Sequence, residues 1–180
     1  MPRLAFLTFG VLLADWNQPQ VQGFVDRIFG SFEAAEASEG FIDRARRTDI
    51  GSPVTQWGEF DYPAFLSPDQ YARVAQTLSV WEDLESVFAF AYGGFHAEGL
   101  KYRKEWVEES HYPNYAAWWV ADDHIPSYAE ARLRLEQLIA SGASATVFTF
   151  KQAYGPDGAP ITVDRARVKE LMERNAATTG

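Results

Sequence analysis

Residues 3 to 12, RLAFLTFGVL, carry apolar side chains on both alternations, with Leu4 and Phe6 on one side and Ala5, Leu7 and Phe9 on the other. Successive side chains of a strand point to opposite faces, so this run predicts a first strand covered on both faces, inside a layered domain. The same run follows one Arg, as the core of a secretory signal would. Thr8 and Gly10 interrupt it, no small-residue cleavage site follows, and it is too short to span a bilayer. It is read as a buried strand of a cytoplasmic protein.

After Pro19, Val21, Phe24, Val25, Ile28, Phe32 and Ala35 recur at intervals of three and four and predict a helix. FIDRARR (41–47) predicts a second strand that ends near the turn residues 49–53. Residues 51–74 hold three prolines and no sustained period, and so predict a long loop. AQTLSVW (75–81) predicts a strand, and Leu84 to Ala91 a helix interrupted or bent at Gly93-Gly94. Helical spacing resumes from Phe95 to Val107 in a new phase. YAAWWVA (115–121) predicts a strand. The Ser127-x-x-Glu130 capping box opens a helix that Gly142 stops, and ATVFTF (145–150) predicts a last strand. GPDGAP (155–160) is a break, after which Val163 to Asn175 reads as a charged, peripheral helix with a frayed tail.

The first six elements give the order β-α-β-β-α-β, the split arrangement of the ferredoxin-like α+β class, with an extra helix and strand. The expected division is a ferredoxin-like domain at 1–155 and a helical extension at 156–180. A sheet with helices on one face leaves the other bare, and two copies would bury both bare faces at once, so a homodimer is expected.

Composition removes several classes of function. The formal charge is −9, from 16 Lys and Arg against 25 Asp and Glu, and lacks the basic footprint that a nucleic-acid backbone requires. With no cysteine there is no disulfide, thiolate nucleophile or zinc–thiolate site. No G-x-G-x-x-G, P-loop, G-x-S-x-G or H-E-x-x-H motif occurs, so no cofactor with such a signature is expected.

LSVWEDLESVFAFAY (78–92), His96, KEW (104–106), WWV (118–120), HIPSYAEARLRLEQL (124–138) and FTF (148–150) occur in an order that resembles the family called domain of unknown function 3291. The resemblance covers about residues 3 to 152. It implies a place in the dimeric α/β-barrel superfamily, alongside cofactor-free antibiotic-biosynthesis monooxygenases, haem-degrading oxygenases and haem aldoxime dehydratases. Val107 departs from the pattern, standing where an aromatic is expected, and residues 156–180 lie outside it.

Three residues are expected to do chemistry. On a continuous helix His96, Leu100, Arg103 and Val107 share one face at i, i+4, i+7 and i+11, so His96 and Arg103 would act together while Lys101 and Lys104 face water. The resemblance places an iron-ligating histidine on the helix after an S-x-W strand, and His96 follows Ser79-Val80-Trp81. Arg103 offers a planar fork of donors to an anion or carbonyl. His124 precedes the capped helix, where a helix N-terminus favours neutral imidazole. Glu105 is as suited to a local ion pair as to proton transfer, and His111, in HYPN, reads as a surface residue. Trp81, Tyr92, Trp106, Trp118 and Trp119 are expected to line a pocket for a flat hydrophobic or aromatic substrate, apart from those that only pack.

The resulting expectation is a tailoring enzyme of secondary metabolism that performs cofactor-independent oxygenation. Three alternatives stand beside it: a cyclase, dehydratase or isomerase in the same pocket, a haem protein ligated by His96, and a non-catalytic dimeric binding module.

Overall fold

The computed structural model describes residues 1–49 and 52–178. Ile50 and Gly51, where the long loop is expected to begin, and the last two residues of the tail lie outside the described residues. The chain is a mixed α+β fold built around one antiparallel sheet. Its strands are β1 (Arg3–Val11), β2 (Phe41–Arg44), β5 (Val74–Trp81) and β6 (Tyr115–Val120), in the order β2-β5-β1-β6. Two short ribbons flank it, β3 (Val54–Thr55) with β4 (Gly58–Glu59), and β7 (Ala153–Tyr154) with β8 (Pro160–Ile161).

Seven α-helices are described: α1 (Gln22–Val25), α2 (Ile28–Glu36), α3 (Leu84–Tyr92), α4 (Gly94–Leu100), α5 (Arg103–Trp106), α6 (Tyr128–Ser141) and α7 (Arg165–Thr178). None is long and apolar enough to cross a membrane. The single helix expected over 21–35 is divided near Asp26 and Arg27 into α1 and α2.

β1 is central and buried on both faces, as its double alternation requires. Ala5, Leu7, Phe9 and Val11 join Leu78, Val80, Ala116 and Trp118 in a cluster closed by α6 and by Trp57 and Leu66 of the 52–74 segment. Leu4 and Phe6 face the other way, with Trp81, Leu84, Val87, Phe148, Val168 and Leu171.

This corrects two expectations. Both faces of the sheet carry packed residues: α6 and the long segment lie on one side, while α3, α7 and the 148–154 segment lie on the other. Nor is α7 peripheral, since Val168 and Leu171 are buried and Arg167 pairs with Asp83, the N-cap of α3.

A third correction concerns 145–150, which is not a strand. Phe148 alone bridges to the β6 edge, exchanging two 2.9 Å backbone bonds with Ala117, and bridges Ser144–Val147 and Thr149–Gln152 fold the segment on itself. Its β-branched and aromatic residues suit a pleated surface locally, but the close bridges on either side of Phe148 leave no extended run to pair.

Turn geometry fixes the approach to β2. Gly40 has φ +79°, and its carbonyl accepts from Glu82 N at 2.8 Å, which ties the turn to the end of β5.

Candidate functional site

β1 runs from one surface recess to another, and the charged candidates divide between them. At its start, Arg3, Ile42, Asp43, Trp57, Val80 and His124 line a recess of about 310 Å³. At its end, Phe9, Val11, Phe65, Arg103, Glu109 and His111 are among those lining one of about 180 Å³.

His124 is set by a short relay that begins on the sheet. Trp118, on β6, is fully buried, and its indole N–H donates to Glu130 Oε1 at 2.8 Å. The other carboxylate oxygen, Oε2, lies 2.7 Å from His124 Nε2. Ser127 Oγ accepts from Glu130 N at 3.2 Å, so the predicted cap forms on that side. The Glu130 side chain turns instead to Trp118 and His124, so half of the capping box has been diverted to hold an imidazole.

With Nε2 donating to the carboxylate, neutral His124 presents a lone pair at Nδ1, which has no protein partner among the described residues. A histidine oriented this way, half exposed at a recess with apolar walls, can accept a hydrogen bond or a proton at Nδ1. The Met1 ammonium, which donates to Asp122 Oδ2 at 3.2 Å, holds that carboxyl below its ordinary range with a smaller contribution from Arg3, whose guanidinium donates no hydrogen bond among the described residues.

His96 stands apart from both recesses. The helix breaks at Lys101 and Tyr102, so the spacing that would join His96 to Arg103 does not continue across it, and Leu100 is exposed. His96 Nδ1 donates to Ala91 O at 2.8 Å, and the ring lies 4.8 Å from that of Phe90. An axial ligand needs open space for a macrocycle on its metal side. The residues around His96 do not fit haem, because the ring is packed and lines neither recess. Among the described residues, no group of three or more His, Cys, Asp and Glu converges to hold a metal ion.

Burial lowers the His96 pKa below its usual value, against an opposing contribution from the Ala91 carbonyl. The unfolded chain therefore binds the proton more readily than the folded one. The corresponding stability is complete above the unfolded histidine value of about 6.5 and is lost as pH falls through the lower folded value. Thermal melts from pH 7 down to 5 are expected to show wild type losing stability more steeply than His96→Phe. Parallel profiles would contradict this.

The aromatics do not form one pocket. Trp81 and Trp118 are fully buried on opposite faces of the sheet. Trp81 donates to Ser79 Oγ at 2.9 Å, and Trp119 donates to Tyr154 O at 2.6 Å. Trp106 packs on Gly23 and under Arg27, whose guanidinium is 5.4 Å from its ring, and Tyr92 is exposed. Because side chains alternate between sheet faces, tryptophans close in sequence order cannot all reach one cavity.

Lys101, Lys104 and Glu105 are exposed, as is His111, although His111 also lines the second recess. Arg3, Trp57 and Glu130 were missing from the expected set. Only Glu130 carried a sequence signal, six residues after His124, and that signal served equally well as a helix cap.

Residues 3–164 match the family described as Domain of unknown function (DUF3291), and the chain belongs to that family. No curated protein matches it. Among solved structures it is similar to the crystal structure of a protein of unknown function from Nitrosomonas europaea. The two are 13% identical, the match covers 71% of this chain and 97% of that one, and the TM-score is 0.44.

Proposed function

We propose that the chain is a small-molecule enzyme that moves a proton on a largely apolar carbonyl or enol compound. His124 acts as the base and Arg3 stabilises the enolate or phenolate that forms. The observation that carries this reading is the Trp118–Glu130–His124 relay, with contacts of 2.8 and 2.7 Å, at the mouth of a 310 Å³ recess. Glu130, held by a buried donor, fixes the imidazole orientation and stabilises its cation once the proton has moved. Ile42, Trp57 and Val80 supply apolar wall, and the recess is near the lower end of ordinary ligand-pocket volumes, so the substrate is compact.

The strand order β2-β5-β1-β6 is the order a split β-α-β-β-α-β unit produces, which supports the ferredoxin-like reading. Because the chain covers both faces of its own sheet, no second copy is needed to bury them. Cofactor-free oxygenation would begin with the same deprotonation, and running the reaction with and without oxygen separates the two outcomes.

The test is deuterium uptake from D2O into a panel of 1,3-dicarbonyl and phenolic compounds, followed by proton NMR. His124→Gln should slow exchange by about a hundredfold or more. Trp118→Phe should slow it less and shift its pH profile, because Glu130 loses a donor while His124 is retained. Equal exchange by wild type and His124→Gln would sink the proposal.

A further inference from the structure

Of the twelve arginines, ten hold a carboxylate or lie over an aromatic ring. The other two are Arg3 and Arg103, and each lines a recess. Arg3 belongs to the site already described. The Arg103 side chain has no hydrogen bond, ion pair or ring contact among the described residues, although it is only half exposed.

The recess around it already contains one completed charge pair. Glu108 Oε1 accepts from Arg73 at 2.5 Å and Oε2 accepts from Gln70 at 3.0 Å, while Arg73 also donates to the Leu12 carbonyl. Both Glu108 carboxylate oxygens are thus engaged within the chain. Two opposite charges without protein partners among the described residues are left on the lining, the guanidinium of Arg103 and the carboxylate of Glu109. Phe9 and Phe65, in edge contact at 6.0 Å, and Val11 supply an apolar wall. At about 180 Å³ the recess lies below the ordinary range of ligand-pocket volumes and suits a compact ligand.

We propose that this recess binds a small zwitterion of the α-amino-acid class with an apolar side chain. The carboxylate sits on the Arg103 fork, the ammonium lies toward Glu109, and the side chain rests against Phe9 and Phe65. Planar two-donor recognition is what a guanidinium offers a carboxylate, and a like-sized anion without the ammonium leaves Glu109 facing it uncompensated. The site is separate from the His124 recess: along β1, Arg3 lines one and Phe9 the other, six steps apart, roughly 20 Å at ~3.4 Å per step.

Isothermal titration with leucine, 4-methylpentanoate and 3-methylbutylamine tests the assignment, since the latter two each retain one of the charges. Saturable binding is expected for leucine, with weaker binding for both single-charge analogues. Arg103→Gln should weaken leucine binding at least about tenfold. Glu109→Gln should weaken leucine while sparing 4-methylpentanoate, and Lys104→Gln and His124→Gln should leave it unchanged. All these side chains are at least partly exposed, and circular dichroism checks that each variant is folded. No saturable heat with leucine at millimolar concentration, undiminished binding by folded Arg103→Gln, or equal affinity for 4-methylpentanoate would each overturn the proposal. Because the His124 variant is included, failure here is distinguishable from failure of the proton-transfer reading.

Discussion

A chain ending at Asp164, without α7, is expected to melt about 10 °C or more below the full chain and to expose enough apolar surface to bind a hydrophobic dye. The family match ends at residue 164, so α7 lies outside it, yet the helix completes the core on the α3 side. Val168 and Leu171 are 4% and 1% exposed. Burying such side chains contributes about 1.5–3 kcal/mol each. A loss of about 3–6 kcal/mol is a large share of a typical domain stability of roughly 5–15 kcal/mol, and each kcal/mol moves the melting point by about 2–4 °C at this chain length. The Arg167–Asp83 pair and the 3.0 Å bond from Asp164 N to Glu85 set the helix in register on α3, at the surface where such pairs contribute little. An unchanged melt would mean that α7 covers α3 without stabilising it.

The second large effect is expected at Gly40. In Gly40→Ala, a Cβ would land on Ser86 Oγ and 2.5 Å from Ser86 Cβ, at a φ of +79°. The left-handed conformation alone costs about 1–2 kcal/mol for an L-residue. Ser86 is 1% exposed in the first turn of α3, so it has little room to retreat, and the total cost should be about 3 kcal/mol. Gly94→Ala is the control: φ is +48° there, but no atom lies within 4 Å of the added carbon. Its loss in a denaturant titration should be the conformational part only. Equal losses at the two positions would show that the Ser86 contact is relieved at no cost.

Much of the frame was legible because it depends on local periodicity. The double alternation of residues 4–9 marked a strand covered on both faces, the recurrence at 84–91 marked α3, and Ser127 with Gly142 bracketed α6. What covers β1 was not legible. Trp57 and Leu66 reach it from a segment without a period, and α6 closes the same side from the far end of the chain. Sequence spacing carries no information about contacts of that range.

The candidate sites show the same division. Arg103 and His124 each line a recess, but the partners that define them are distant: Trp118 twelve residues before Glu130, and Phe9 almost a hundred before Arg103. His96 was misleading for a local reason. Its helical spacing to Arg103 is real on paper, but the backbone breaks at residues 101 and 102, between the two.

The single bridge from Phe148 to β6 and the bulge between Phe41 and Asp43 in β2 lie on the two outer strands of the sheet. An outer strand with a row of unpaired amides invites other chains to add to it. Here Phe148 already occupies amide and carbonyl groups of Ala117, while β2 is four residues long, irregular, and ringed by the ion pairs of Arg44 and Arg46 with Glu36 and Asp43. Neither border offers a long, flat template, so the folded chain is protected against fibril-like growth through its sheet.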